Sequence, residues 1–183
     1  MKRLKDFDRY YIRSIGETYN ELEKTSEDIR NNYKFDLSKT EISEAILDRL
    51  KKYYLTQSKI KKLLNKRYLA AASDFFVESV LFFLKLYLQS ESNNFDVHSE
   101  RQIKRTKNAI RPDISIWKGE EVVVIIECKT QLGWNRNNWE EQFWMRDSKL
   151  KTEFPKAKSF LLVMTGLNWS GFENNTLLGE KYF

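Results

Sequence analysis

The sequence predicts an α/β fold: a mixed β-sheet flanked by helices in the order α-β-β-β-α-β, behind an N-terminal helical region. Three observations carry that expectation. Val122 to Ile126 is an uninterrupted β-branched run, and Ser159 to Thr165 (SFLLVMT) is a second short apolar run, each of strand length. Lys118-Gly119-Glu120-Glu121 separates the first run from the strand-like Asp113 to Trp117, which makes a hairpin. Asn138 followed by Glu141 has the form of a helix start and Pro155 ends that helix, so a helix over 139–153 lies between the two apolar runs. A strand that re-enters the sheet through such a helix lies parallel to the strand it left, by the usual right-handed connection.

The elements follow in order. Residues 1–67 form the helical region, a candidate DNA-contacting or dimerisation element. Ile42, Ile46, Leu47 and Leu50 take helical spacing after Thr40, and Ile60, Leu63 and Leu64 do so after Thr56. The stretch 41–64 has the outline of a helix-turn-helix with Thr56 capping its second helix, although paired amphipathic helices occur in proteins of every kind. Residues 68–183 form the core and a short C-terminal tail. Residues 68–90 are apolar nearly all round and predict a largely buried helix. Glu78 within it has two readings. It is either a carboxylate held by a partner or a metal, or part of one wet stripe with Asp74 and Lys85. Ser92 to Asn94 break the helix, and Phe95, Val97, Arg101 and Ile103 suggest a first strand over 95–104. Gly133 and Asn135 to Asn138 form a loop before the last helix.

Composition narrows the class. A hydrophobic fraction of 41% with 14% aromatics excludes a disordered chain, and 183 residues suffice for one domain with a real core. The lone Cys128 excludes an internal disulfide and a cysteine-based zinc cluster. MKRLKDFDRYY lacks the apolar segment of a signal peptide. Phe75 to Leu88, the longest apolar stretch, is interrupted by Glu78 and Lys85 and is too short to span a bilayer. A cytoplasmic setting without a membrane partner is expected. The formal charge of +6 suits a polyanion. Arg49 to Arg67 carries eight basic residues, Lys59 and Lys62 among them, and no acid. A second cluster, Lys104, Arg105, Lys107 and Arg111, immediately precedes Pro112. Both clusters are either solvated faces or phosphate contacts, and the position of the second favours phosphate.

The hairpin concentrates the chemistry. A strand period of two puts Val123, Ile125, Glu127 and Lys129 on one face and Val124, Ile126 and Cys128 on the other. With an odd-numbered turn centred on Glu120, Asp113 faces Glu127 across the strand pair. Carboxylates that close repel each other unless a cation or a proton lies between them. Lys129 is one step along the same face. Two acids and an amine at a strand end suit a hard divalent ion and an activated water, with Lys129 orienting or deprotonating that water or stabilising the transition state. The plain alternative makes Glu127 and Lys129 an exposed ion pair and Asp113 a turn residue, which leaves the convergence of all three unexplained.

Pro112-Asp113 followed, after thirteen intervening positions, by Glu127-Cys128-Lys129 resembles the signature of the PD-(D/E)XK nuclease superfamily, which includes most type II restriction endonucleases. The resemblance covers roughly residues 68 to 166. It implies a restriction-endonuclease-like core and a Mg2+ ion (with Mn2+ as substitute) held by Asp113, Glu127 and the backbone carbonyl of Cys128. It also implies a catalytic Lys129, with Glu78 a further ligand because many members carry a Glu on the helix before the first strand. The implied function is a DNA endonuclease, most simply of restriction type, leaving 5′-phosphate and 3′-hydroxyl ends. Cutting both strands of double-stranded DNA takes two such sites, hence a homodimer. Repair, recombination and RNA-cleaving nucleases share the superfamily. A degenerate core that binds nucleic acid without cutting, and an adaptor that docks a protein through its N-terminal helices, are the rival classes.

Other residues have weaker claims. His98, the sole histidine, is expected to be structural, and Cys128 to point into the core. Gln131 either touches the site or caps the strand. Gln142 and Arg146, one helical turn apart, either face the site or lie on the surface. Trp134 and Trp139 are expected to pack the helix start rather than stack on bases.

Overall fold

The computed structural model describes residues 3–91, 94–105, 107, 109–130, 137–165 and 170–183. Among these residues four helices and four strands follow in the order α1 (Leu4–Asn32), α2 (Glu41–Leu63), α3 (Ser73–Ser90), β1 (Asp96–Ser99), β2 (Ile114–Lys118), β3 (Glu121–Lys129), α4 (Trp139–Glu153) and β4 (Lys158–Val163). The strands form one sheet in spatial order β1-β2-β3-β4. The first three are antiparallel, and β4 runs parallel to β3, from Val124 opposite Lys158 to Lys129 opposite Val163. The protein is thus an α/β structure with a mixed sheet, and from α3 onward the element order is α-β-β-β-α-β.

Strand alternation gives each face its own cover. Ile114, Ile126 and Cys128 pack with Phe76 and Val80 of α3, and Leu50 of α2 closes the same cluster from behind. Trp117, Val122 and Ile125 meet Leu150 of α4 on the opposite face. Leu161 of β4 joins Trp139 and Phe143 of α4 there, together with Phe172 and Tyr182 of the C-terminal tail. The tail also lies along β4: the Leu161 amide donates to the Lys181 carbonyl at 3.0 Å, and the Phe183 amide donates to the Leu161 carbonyl at 2.9 Å. Tyr182 is fully buried, its ring edge-on to Trp139 at 4.9 Å and to Phe143 at 5.4 Å.

Four expectations need correction. The helix-turn-helix is absent, because Glu41–Leu63 is one continuous helix. No Gly or Pro interrupts it, Tyr53 and Tyr54 continue its apolar face against α3, and the Thr56 hydroxyl donates back to the Lys52 carbonyl at 2.9 Å instead of capping anything. The buried helix begins at Ser73 rather than at 68, with Asp74 in its first turn, and the Tyr53 hydroxyl holds the preceding segment through the Ala71 carbonyl at 2.9 Å. The first strand ends at Ser99 rather than 104, where Glu100 takes a left-handed φ of +52°.

The fourth correction concerns the hairpin. Its turn has two residues, Gly119 and Glu120, between the paired Lys118 and Glu121, and Gly119 supplies the φ of +61° that such a turn asks of its first central position. A two-residue turn alone would put Asp113 opposite Ile126. A one-residue bulge at Val123 restores the odd count, since Trp117 pairs with Val122 while Ile116 pairs with Val124. Val122, not Val123, consequently joins Ile125 against α4. Beyond the bulge Ile114 faces Ile126, so Asp113 and Glu127 come next on their strands as expected.

Candidate functional site

Asp113 directly precedes β2, and Glu127 and Lys129 close β3. The Asp113 carboxylate turns over the end of β3, where its Oδ2 accepts the Cys128 amide at 2.7 Å and lies 3.2 Å from the Lys129 ammonium. The same ammonium lies 3.5 Å from Glu127 Oε2. The two carboxylates are therefore no further apart than those two spans laid end to end. All three predicted side chains meet.

Glu127 is the buried member, with 3% of its side chain exposed. Burial pushes its carboxyl pKa above the ordinary glutamate value and Asp113 adds to the rise, while the Arg146 and Lys129 charges oppose it. Arg146 reaches in from α4: one guanidinium nitrogen donates to Glu127 Oε2 at 2.8 Å and another donates to the Arg111 carbonyl at 3.1 Å. The other oxygen, Glu127 Oε1, is buried without a hydrogen-bond partner. A buried carboxylate oxygen left unpaired costs about 1–3 kcal/mol unless something fills the need.

A cleft of about 450 Å³ opens beside this group, between the first turns of α3 and the ends of β2 and β3. Asp113, Lys129 and Thr130 line it on the sheet side; Asp74 and Glu78 line it from α3, and Glu100 from the end of β1. Glu78 is thus exposed and aimed into the cleft, as a member of the wet stripe with Asp74, and its charge is felt by Arg49 of α2. Glu127 does not line the cleft and communicates with it through Lys129. Among the described residues no three His, Cys, Asp or Glu side chains have metal-holding geometry, so Glu78 is not gathered into one cluster with Asp113 and Glu127.

Asp113 and Glu127 already bracket one cation, the Lys129 ammonium, and a metal ion at this place would need a further ligand beyond these two carboxylates. Asp113, Glu127 and the Cys128 carbonyl are the groups that would hold it, with Glu78 across the cleft. A cleft lined by Asp74, Glu78, Glu100 and Asp113 with one lysine repels a polyanion by itself. The Cys128 thiol is buried against α3 and burial raises its pKa, so it is no nucleophile at neutral pH.

The remaining candidates separate clearly. None of Lys104, Arg105, Lys107, Arg111, Lys59 and Lys62 lines the cleft. Lys104 pairs with Glu153 of α4. Arg105, Lys107 and Arg111 are exposed in the segment leading to Asp113, and Lys59 and Lys62 are exposed on α2. Arg49, counted in the first basic run, lies over the rings of Phe82 and Phe83 at 4.3 and 4.8 Å. His98 accompanies Arg101, at 2.8 Å, beside Trp117 and away from the acids. Trp139 packs the start of α4 and donates to the Ser170 carbonyl at 2.9 Å, as expected of a structural residue. Gln142 is half-buried on α4, one turn from Arg146. Gln131 and Trp134 lie outside the described residues.

Sequence reasoning left Arg146 between two readings, and the structure selects the one facing the acids. It missed Glu100 in the cleft, which was expected inside a strand. It also missed Asp147, buried on α4 with Ser159, Lys151 at 2.8 Å and Lys181 at 3.2 Å. The i,i+4 spacing of Asp147 and Lys151 was the only available signal, and such pairs are normally surface features.

Fold and site together define an α/β protein with two acids and an amine converging where β2 begins and β3 ends. The chain matches no family model, and no curated protein matches it.

Proposed function

We propose that the protein is a Mg2+-dependent DNA endonuclease of the PD-(D/E)XK kind, most simply a restriction-type enzyme that leaves 5′-phosphate ends. The observation that carries the reading is the Lys129 ammonium between Asp113 and Glu127, 3.2 and 3.5 Å from their oxygens, at the edge of an open cleft. The α-β-β-β-α-β order, the orphaned Glu127 oxygen and the basic approach to Asp113 support it; a restriction-endonuclease-like core is part of the proposal. Bound magnesium would supply positive charge against the phosphate and acidify a water. Asp113 keeps its orientation through the Cys128 amide whether or not Lys129 moves. Lys129 is then available to hold a phosphate oxygen and offset the charge that grows on it. Arg105, Lys107 and Arg111 lead the backbone toward Asp113.

Plasmid nicking in magnesium tests this directly. The parent should nick, with manganese as substitute and chelator as block, while Asp113→Ala and Lys129→Ala should lose activity by at least about 100-fold. An intact plasmid and intact RNA across many sequences, in either metal, overturn the enzyme. One observation favours a second reading, a nucleic-acid-binding module without catalysis: Glu127 is already tied to Arg146 at 2.8 Å. That reading predicts salt-dependent DNA binding with no cleavage. Defined ends from a digested random-sequence library would indicate restriction, and structure-dependent ends repair or recombination.

A further inference from the structure

The N-terminal part of α1 extends past the body with its apolar side chains uncovered. Leu4 is 85% exposed, Phe7 66%, Tyr11 64%, Ile15 61% and Tyr19 64%, and no residue of the helix is fully buried. Apart from Asp6, α1 becomes half-buried only from Leu22 onward, where Thr25 and Ile29 approach Phe35, Ile42 and Phe83. At 100° per residue, Leu4, Phe7, Tyr11, Ile15, Tyr19 and Leu22 fall on one stripe.

The spacing of that stripe reads the same in both directions about Arg13: steps of three, four, four, four and three. A stripe with that mirror symmetry matches itself when two copies run antiparallel, with Leu4 opposite Leu22, Phe7 opposite Tyr19 and Tyr11 opposite Ile15. Four charges beside the stripe obey the same symmetry with opposite sign, while Asp6 and Asp8 fall opposite the uncharged Asn20 and Thr18. Arg3 and Glu21 lie on one flank of the stripe, Lys5 and Glu23 on the other. Antiparallel pairing brings like flanks together, so Arg3 meets Glu21 of the second copy and Lys5 meets Glu23 of the second copy. Parallel pairing would set base against base and acid against acid. Arg13, at the centre of symmetry, points away from the stripe and bonds Glu17 at 2.6 Å on its own helix.

We infer that a second copy of this chain covers the α1 stripe, forming an isologous antiparallel helix pair centred beside Arg13. The uncovered span of about 27 Å accepts the partner helix up to Leu22, where α1 starts to pack on its own body. The inference does not rest on the nuclease reading, because the oligomeric state is measured without substrate.

Sedimentation equilibrium of the full chain at moderate salt tests it. The expected mass is twice 22.0 kDa, and Ile15→Arg should shift dissociation to concentrations at least about tenfold higher. Ile15 is exposed, so unchanged circular dichroism separates lost association from lost folding. Lys5→Glu and Glu23→Lys should each weaken the dimer several-fold, and the double variant Lys5→Glu/Glu23→Lys should restore it. A monomer at all concentrations, a dimer indifferent to Ile15→Arg, or a double variant no better than either single change overturns the inference. So does association that appears only on lipid vesicles.

Discussion

Arg146→Ala isolates the interaction that lets Glu127 stay buried. The change removes the 2.8 Å bond to Glu127 and the 3.1 Å bond to the Arg111 carbonyl. Both bonds have the charged guanidinium as donor, and a hydrogen bond to a charged group contributes about 1.5–3 kcal/mol. The Arg146 side chain is 39% exposed, so solvent already screens part of its attraction and the lower end applies. Among the described residues Glu127 then keeps the one ion pair with Lys129 at 3.5 Å. The expected loss is about 2–3 kcal/mol near neutral pH, or roughly 4–12 °C in Tm for a chain of this size.

The pH dependence has a definite sign. Burial holds the Glu127 pKa above its ordinary value, and Arg146 pulls it down, so the variant's pKa rises further. An acid with a raised pKa binds its proton more readily in the folded state, and the variant gains stability as pH falls through that pKa. Urea unfolding should show the full deficit near about pH 8 and a smaller one near about pH 5. In a Glu127→Gln background the Arg146→Ala cost should fall below about 1 kcal/mol, because the buried charge is gone. An equal deficit at both pH values and in both backgrounds would refute the reasoning and leave Arg146 acting by packing alone.

Two other substitutions probe the fold. At Thr56, inside α2, Ala should match or exceed the parent in urea stability and Gly should lose about 1 kcal/mol; a helix N-cap would reverse that order, tolerating Gly better than Ala. Tyr182→Ala should cost about 3–5 kcal/mol by calorimetry, because a fully buried ring leaves a cavity against Trp139 and Phe143, and a loss under about 1 kcal/mol would mean the tail does not hold β4.

What could be read in advance was what local pattern encodes. The Val122 to Ile126 run, the Asn138 start and the Pro155 stop placed β3, α4 and β4 within a residue or two, and period-two alternation brought Asp113, Glu127 and Lys129 together. Hydrophobic spacing did not distinguish two helices from one at Thr56, because a Thr fits an N-cap and also bonds back inside a helix. The length of β1 turned on a single left-handed residue, Glu100, whose conformation no period reports. Arg146 and Asp147 act through tertiary neighbours on β3, β4 and the tail, which sequence distance conceals. The register of the hairpin was anticipated through a turn that does not exist, two departures having cancelled.

That cancellation sets a parity rule for the segment between the two acids. Thirteen residues separate Asp113 from Glu127, and the odd number is reached with a short turn and one supernumerary valine. A single deletion or insertion there sends one carboxylate to the α3 side of the sheet and the other to the α4 side. Two compensating changes, such as removing Val123 while lengthening the turn by one, leave the acids together. Loop engineering and inherited length variation in this hairpin should therefore be tolerated in steps of two.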